Sequence, residues 1–187
     1  LAAALATAAA LVGFRGPLRS GLLDAQGGGL VGGELGRVTT DAAGLWHTVR
    51  DGWHGAGLGT GVDVGPQVAL LAGVSWLAER APWIAEGRSP ASVAIAWVVV
   101  AGMPLATVTA YLAGRVITRS RWPRAFAALA WGASGALVAA IDHGRVTAVL
   151  GHVLLPLVAA GIARAATSQG SFTGTAAAAL GAAALGI

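Results

Sequence analysis

The chain has 187 residues, of which 56% are apolar and only 11% are charged, and its mean hydropathy is +0.71. A soluble domain carries about 25% charged residues, so this chain cannot cover a water-facing surface and needs lipid or many neighbouring helices around it. Cysteine is absent, which excludes disulfides and thiolate metal sites. All twelve basic residues are arginine, but they lie at the ends of apolar segments without interleaved aromatics, which excludes a nucleic-acid surface.

The first element is the apolar stretch 1–13, which ends at Phe14-Arg15-Gly16. No basic region precedes it, as one would in a signal peptide, so we predict the end of a truncated transmembrane helix. The sequence also stops at Ile187 inside an alanine-rich run. We therefore expect a fragment of a longer protein that is truncated at both ends.

Residues 14–90 differ in character, since they are rich in glycine and hold seven of the eight acidic residues against six arginines. This near-balance of charge fits a translocated loop, which we predict to be extracytoplasmic. Within it, the segment 41–54 has the periodicity of an amphipathic helix of the interfacial kind, with tryptophan at the level of the lipid headgroups. Thr40 or Asp41 is a suitable N-cap for this helix.

The apolar run 67–78 is short for a span, because a transmembrane helix needs about 20 residues. We predict an interfacial or re-entrant helix there, followed by a polar break from Glu79 to Pro90. If this run does span the bilayer, residue 14 moves to the other side of the membrane. The position of everything that precedes residue 67 depends on this one helix.

The remaining part, 91–187, has the composition of a transmembrane helix bundle, and its apolar runs predict four helices. They cover about residues 91–117, 125–141, 146–166 and 171–187, the last of them truncated. Pro104 and Pro156 lie inside two of these helices and predict kinks. The predicted fold is therefore an all-α, polytopic transmembrane bundle with an extracytoplasmic loop that carries an interfacial amphipathic helix.

Arginine sets the predicted orientation of these helices. Residues 115–124 carry four arginines and no acid, so the positive-inside rule places this loop in the cytoplasm. Residues 14–90 and 142–145 then lie outside, and Arg164 returns to the cytoplasmic side. The predicted location is the cell membrane, which the chain crosses several times.

Polar residues of the amphipathic helix are the first candidates for ligand binding. Its polar face would turn to a cavity that holds a lipid-linked sugar or its phosphate; the alternative is a surface helix whose polar face merely meets water. The candidates are Trp46, His47, Arg50, Asp51, Trp53 and His54. His47 and His54 lie seven residues apart, but nothing else in the sequence suggests a metal, so no metal site is predicted.

The connection Asp142-His143-Gly144-Arg145 is a second candidate, because it gathers an acid, an imidazole and a guanidinium at a membrane boundary. Arg145 and the start of the following helix would bind an anion; alternatively, Asp142 and Arg145 pair across a turn that Gly144 allows. His152 is a third candidate, because Pro156 removes the helical hydrogen bond to its carbonyl. This histidine either lines a cavity at the kink or bonds to a neighbouring helix.

No catalytic centre is readable in the sequence. It lacks a zinc-binding H-E-x-x-H, a G-x-S-x-G elbow and a D-x-D nucleotide-sugar motif, and its glycine runs match neither a P-loop nor a dinucleotide fingerprint. The catalytic residues therefore stay unknown, and no cofactor is predicted. A cytosolic nucleotide-sugar domain is absent from this fragment.

Four motifs follow one another between about residues 30 and 165: G-G-x-L, L-W…W-H-x-x-G-x-G, Y-L-x-x-R-x-x-T-R-S and G-R…L-L-P-L. Their residues are Gly32, Gly33, Leu35, Leu45, Trp46, Trp53, His54, Gly57, Gly59, Tyr111, Leu112, Arg115, Thr118, Arg119, Ser120, Gly144, Arg145, Leu154, Leu155, Pro156 and Leu157. In this order they resemble the membrane region of large actinobacterial glycosyltransferase family 2 proteins. The chain departs from that family after the Gly-x-Gly, where it reads GTGVDVGP (59–66) instead of a proline-rich stretch.

The resemblance implies the membrane domain of a glycosyltransferase that builds cell-envelope polysaccharide, with its soluble sugar-transferring domain outside this fragment. The implied partners are the lipid bilayer, other helices of the full-length protein, and a polyprenyl-phosphate-linked sugar or glycan acceptor that this region would position. Two other classes stay open: a transporter or flippase for lipid-linked sugars, and a non-catalytic membrane scaffold. A transporter predicts broken helices in symmetric positions, whereas a scaffold predicts polar faces that bind other envelope proteins.

Overall fold

The structure is a computed structural model that describes residues 41–51, 65, 67–81 and 89–166, together with Ala4, Thr7, Ala8, Leu11 and Val12. Within these residues every regular element is helical and none is a strand, which confirms the predicted all-α class. The helices are α1 (Ala42–Arg50), α2 (Gln67–Ala78), α3 (Pro90–Ala113), α4 (Arg121–Gly132), α5 (Gly135–Asp142) and α6 (Val146–Ala166), with a 3₁₀ turn at Gly114–Val116.

Three stretches are long and apolar enough to cross a membrane. They are Pro90–Val116, Arg121–Asp142 and Val146–Ala165, with mean hydropathies of 2.0, 1.5 and 2.1. Length and composition thus support a membrane protein. The described positions between residues 4 and 12 are also helical, whereas the predicted fourth helix of the bundle, 171–187, lies outside the described residues.

The central helix of the bundle is α3. Half of its most apolar window is buried within the protein, against 22% and 28% for the other two stretches. Ile95, Val98 and Val99 on its N-terminal half pack with Leu137 of α5 and Val149 of α6 in one core. The outer helices therefore keep most of their apolar surface exposed, which suits contact with lipid or with further helices.

The second apolar stretch is broken into two helices. The prediction treats 125–141 as one span, but α4 ends at Gly132 and α5 begins at Gly135. Ser134 caps α5 by accepting a hydrogen bond from the Leu137 backbone N–H (3.4 Å). The sequence signal for this break is the run G-A-S-G, because glycine and serine together favour a kink.

Gly132, the last residue of α4, allows a close approach to α3. A Cβ at this position would lie 3.0 Å from the Met103 carbonyl oxygen and would overlap the Thr107 hydroxyl. Thr107 is only 1% exposed, and its hydroxyl donates to that same carbonyl (3.0 Å). Small residues that let two backbones approach are a common means of packing membrane helices.

The connection between α3 and α4 is shorter than the predicted loop 115–124. The 3₁₀ turn extends α3 to Val116, and α4 already begins at Arg121. Arg124 therefore lies inside a helix and is only 9% exposed, whereas the prediction made it a loop residue. Its side chain packs back onto the end of α3, as described below.

Beside the start of α3, α1 and α2 pack against each other. Leu45 of α1 is buried against Ala72 of α2 and Ala91 of α3. The helix predicted over 41–54 is present but shorter, since it ends at Arg50 and the following Asp51 is extended. The short helix predicted over 67–78 corresponds to α2.

Candidate functional site

Two carboxylates hold the N-terminus of α1. Asp41 is its N-cap, since its Oδ1 accepts a hydrogen bond from the Gly44 backbone N–H (2.7 Å). Glu79 follows α2, and its Oε1 accepts from the Ala42 backbone N–H (2.7 Å). Both acids meet the positive end of the helix dipole. The Glu79 contact also ties the start of α1 to the end of α2, and the two helices enclose a groove between them.

The groove between α1 and α2 has a volume of about 420 Å³. Small residues make up most of its lining: Ala42, Ala43, Ala69, Ala72 and Gly73. Trp46 and Trp76 line it from opposite helices and remain 45% and 49% exposed, and among the described residues Glu79 is its one charged lining residue. The groove is thus apolar with aromatic sides, and its volume lies within the usual range for small-molecule sites.

An arginine accompanies each of these tryptophans one helical turn further along the chain. The Arg80 guanidinium carbon lies 3.5 Å from the centre of the Trp76 ring, and its Nη1 donates to the Trp76 carbonyl oxygen (2.8 Å). The Arg50 guanidinium carbon lies 5.7 Å from the centre of the Trp46 ring. Such cation–π contacts stabilise by about 0.5–1 kcal/mol at exposed sites. Two positive charges therefore lie beside the aromatic sides of the groove.

The candidates predicted on this helix fall into three groups. Trp46 lines the groove and Arg50 lies against its ring. His47 and Asp51 are exposed and do not line the groove. The remaining two candidates, Trp53 and His54, lie outside the described residues.

The α2 side of the groove was not among the predicted candidates. It comprises Trp76 and Glu79, with Arg80 against the Trp76 ring. A signal was present in the sequence, because an acid and an arginine follow Trp76 at three and four residues, which is the spacing of neighbours on one helix face. That spacing alone did not reveal that the face would meet α1.

The turn around Gly144 forms the C-terminal cap of α5. Gly144 has a φ of 62°, in the left-handed region that favours glycine. The Arg145 N–H donates to the Ala140 carbonyl (2.8 Å) and the Gly144 N–H to the Ile141 carbonyl (3.0 Å). These two bonds define a Schellman motif. The reversal that the sequence predicted at glycine is therefore present, and its reason is the capping of a helix.

Of the two alternatives for this turn, the pairing of Asp142 with Arg145 is not observed. Asp142 and Arg145 are both exposed, and within the described residues their side chains make no ion pair. His143 is exposed as well, with its Nδ1 2.8 Å from the Ala139 carbonyl oxygen one turn earlier in α5. The structure thus explains the turn by its backbone, and it does not bring the three side chains together around a common point.

His152 of α6 packs into the break between α4 and α5. Its ring stacks on Trp131, with ring centres 4.3 Å apart and planes inclined by 15°. Its Nε2 lies 3.0 Å from the Trp131 carbonyl oxygen and 3.1 Å from the Ser134 Oγ. Because a carbonyl oxygen can only accept, the Nε2 atom carries a proton in this arrangement.

The contact between Trp131 and His152 is reciprocal. The Trp131 Nε1 donates to the His152 carbonyl oxygen (3.1 Å), which is the carbonyl that Pro156 leaves without a helical donor. The indole therefore replaces a missing backbone N–H of α6, while the imidazole donates to a carbonyl at the end of α4. We call the contact between Trp131, Ser134 and His152 the clasp. Of the two predicted roles of His152, bonding to a neighbouring helix is confirmed.

A second, partly buried polar contact joins the end of α3 to α4. The Arg124 Nη2 donates to the Tyr111 hydroxyl oxygen (2.7 Å), and the guanidinium carbon lies 4.1 Å from the centre of the tyrosine ring. The stem of Arg124 packs on Gly114, where a Cβ would come 2.7 Å from its Cγ. Its Nε is buried and has no acceptor among the described residues. An unpaired buried donor costs about 1–3 kcal/mol, and more when it is charged.

Within the described ranges, no group of three or more histidine, aspartate or glutamate side chains is placed to hold a metal ion. The chain matches no protein family, and no curated protein or solved structure is significantly similar to it. The groove and the polar contacts between helices are therefore the basis on which a function can be assigned.

Proposed function

We propose that this chain is part of the membrane domain of a glycosyltransferase of cell-envelope polysaccharide synthesis, and that it positions a polyprenyl-phosphate-linked acceptor or donor. One observation carries the proposal: a single groove of about 420 Å³ is flanked by two tryptophan–arginine pairs, Trp46 with Arg50 and Trp76 with Arg80. The glycosyltransferase class itself rests on the four sequence motifs that resemble that family.

The chemistry of the groove suits a molecule that is half hydrocarbon and half phosphate. Its alanine and glycine lining leaves room for an apolar chain, and the tryptophan rings offer flat faces to isoprenoid or sugar. Arg50 and Arg80 supply the planar donors that bind phosphate oxygens. Tryptophan and arginine are also typical of the lipid-headgroup level, where the phosphate of such a lipid lies.

In this proposal α1 and α2 lie on the extracytoplasmic surface of the membrane. The connection between α3 and α4 then lies in the cytoplasm, because its arginines obey the positive-inside rule. The exposed side of α1, with His47 and Arg50, faces water and headgroups, while Leu45 is buried against the protein. A lipid-linked substrate would enter the groove from the outer leaflet.

Binding of decaprenyl phosphate tests the groove. The chain is placed in phosphatidylcholine nanodiscs that contain this lipid, and native mass spectrometry measures the bound fraction. Replacing both rings, Trp46→Ala with Trp76→Ala, is expected to weaken binding by about tenfold or more, equivalent to about 1.4 kcal/mol. The loss follows because the aromatic sides of the groove disappear while its polar groups stay.

The matched control is Trp122→Ala, which removes a tryptophan that is 69% exposed in the first turn of α4. This variant should bind decaprenyl phosphate as well as the original chain does. Equal binding by the original chain and by the double tryptophan variant would show that the groove is not the site. Sugar transfer by the full-length protein, measured with the same variants, connects the site to the reaction.

A flippase or transporter for lipid-linked sugars is the second candidate function. The observation that favours it is the break between α4 and α5, which faces the Pro156 segment of α6 across the clasp. Broken helices near the middle of a bundle are typical of transporters. Reconstitution in vesicles separates the two functions, since a flippase moves a labelled polyprenyl phosphate between leaflets without forming a bond, whereas a glycosyltransferase consumes the sugar donor.

A further inference from the structure

At the end of α3 that is remote from the groove, a cluster of three arginines lies around the Tyr111 phenol, and Arg119 is close to them in the chain. Arg124 is buried against Tyr111, and Arg115 and Arg121 lie near enough to act electrostatically on the tyrosine hydroxyl. Arg115, Arg119 and Arg121 have exposed side chains. In the described part of the chain, no acidic side chain pairs with any of these arginines. Among the described residues the cluster is therefore a concentration of positive charge without a counter-charge.

Arg124 is packed against Gly114 and Tyr111, and among the described residues its guanidinium makes one hydrogen bond. Gly114 makes room for its stem, and Tyr111 accepts from its Nη2. A guanidinium has five N–H donors, yet the Nε of this residue is buried with no acceptor in the described structure. A charged group that is 9% exposed and so poorly paired is stabilised when an anion joins it.

Two further donors lie next to Arg124. The Tyr111 oxygen accepts from the guanidinium, so its own O–H remains available to donate. Helix α4 begins at Arg121 behind Ser120, whose side chain makes no capping hydrogen bond. The N–H groups of Arg121 and Trp122 and the positive dipole of this helix start favour negative charge, although Pro123 offers no N–H.

We infer that this cluster is a binding site for a phosphate group, with Arg124 and Tyr111 at its base and Arg115 and Arg121 at its rim. Phosphate has several oxygens that accept charge-assisted hydrogen bonds, and it matches the planar donors of arginine. The phosphate comes either from a lipid headgroup or from a soluble phosphate compound. The recognised chemistry is the same in both cases.

This site is distinct from the groove between α1 and α2. The 24 residues of α3 separate the two ends by about 36 Å, at 1.5 Å per residue. One end of α3 packs against α1 through Ala91, and the other supplies Tyr111 and Gly114 to the arginine cluster. A single headgroup cannot contact both places, so the two sites respond to different substitutions.

The test uses the full chain in phosphatidylcholine nanodiscs and has two arms. In the first, the nanodiscs contain a minor fraction of phosphatidic acid, and native mass spectrometry counts the lipid that stays bound. In the second, inorganic pyrophosphate is titrated in solution and calorimetry measures its affinity.

Arg115→Gln with Arg121→Gln is the main variant, because both side chains are exposed and the fold should tolerate their loss. Arg124→Lys is a second variant, which keeps the charge but loses the planar donor.

The main variant is expected to lose about tenfold or more of the affinity, since each lost charge-assisted bond contributes on that scale. Arg145→Gln is the matched control, because it removes one exposed arginine from the turn before α6, and it should keep full affinity. Binding in the lipid arm alone identifies a headgroup, binding in the pyrophosphate arm alone identifies a soluble phosphate, and binding in both shows recognition of the phosphate itself. Absence of binding in both arms overturns the inference, as does full affinity in the main variant or an equal loss in Arg145→Gln.

Discussion

The clasp and the groove are built from similar side chains, but they use them differently. In the clasp, Trp131 and His152 each donate to a backbone carbonyl of the other's helix, and the two rings stack. In the groove, Trp46 and Trp76 remain about half exposed, and each has an arginine near its ring. The donors of the clasp are occupied by the protein itself, whereas the groove leaves aromatic faces and guanidinium groups at its surface.

This difference bears on how polar residues in apolar helices are interpreted. An ionisable residue in a transmembrane segment is a functional candidate by default, because burying it is costly. His152 is such a residue, and yet its Nε2 atom and its carbonyl oxygen both hydrogen-bond to Trp131. Its presence is explained by the helix break and by Pro156, without any ligand. Among the described residues, no comparable set of contacts accounts for the exposed tryptophans of the groove or for the arginine cluster.

The largest expected effect follows from removing the indole of the clasp. Trp131→Ala takes away the ring that stacks on His152 and the donor to its carbonyl. We expect a loss of about 3 kcal/mol in the free energy of unfolding, because tryptophan truncation in a packed site costs about 3–5 kcal/mol. Chemical denaturation in detergent micelles, followed by circular dichroism, measures it.

Trp122→Ala is the control for this experiment. It also removes a tryptophan side chain, but that side chain is 69% exposed. It should change the stability in micelles by less than about 0.5 kcal/mol. If the two tryptophan variants unfold at the same denaturant concentration, the clasp does not hold the bundle together and His152 returns to the list of ligand candidates.

A smaller effect separates the hydrogen bond of the clasp from its packing. Trp131→Phe keeps an aromatic ring but leaves the His152 carbonyl without the indole donor, which costs about 1–3 kcal/mol. In a Pro156→Ala background the backbone N–H of residue 156 donates to that carbonyl instead. The cost of Trp131→Phe should therefore fall by about 1 kcal/mol in this background, a coupling of the size that contacting residues show. Strictly additive losses in the double variant would mean that the indole does not substitute for the missing N–H.

The apolar stretches of the fold could be predicted from sequence because length and hydropathy decide which helices can span. The third predicted helix, 146–166, has the bounds of α6, and 67–78 those of α2. The break at Ser134 was missed, because a short G-A-S-G run is a weak local signal. In the structure the break also carries a contact between Ser134 and His152, eighteen residues later, which exists only after two helices pack.

For the candidate site, too, the sequence did not reveal contacts between residues that are far apart in the chain. Trp46 and Arg50 were identified because both lie on one amphipathic helix. Trp76 and Arg80 were missed because they join the groove only when α1 docks on α2, through the bond between Ala42 and Glu79, which are 37 residues apart. Local periodicity does not encode such a pairing.

The charge pattern of the sequence led to a wrong prediction for Arg124, which was placed in a loop. The sequence places it with three other arginines in a short polar segment, which is the normal setting of a loop. In the structure it is the fourth residue of α4 and is buried, because Gly114 and Tyr111 on the preceding helix make room for its stem and accept its Nη2. A positive-inside count does not distinguish an arginine in solvent from one that is packed in this way.

The smallest expected effect concerns the charge that joins α1 to α2. Glu79→Gln keeps an acceptor for the Ala42 N–H but removes the negative charge at the positive end of α1, which should cost about 0.3–1 kcal/mol in local stability. Hydrogen–deuterium exchange of the α1 amides measures this as faster exchange.

Asp51→Asn is the matched control, because it removes an exposed acid at the opposite end of the same helix. Negative charge is unfavourable at that end, so exchange should slow or stay the same. Salt should weaken the Glu79 effect through screening and leave the stacked and hydrogen-bonded contacts of the clasp unchanged. Equal salt dependence of the two regions would contradict the distinction between them.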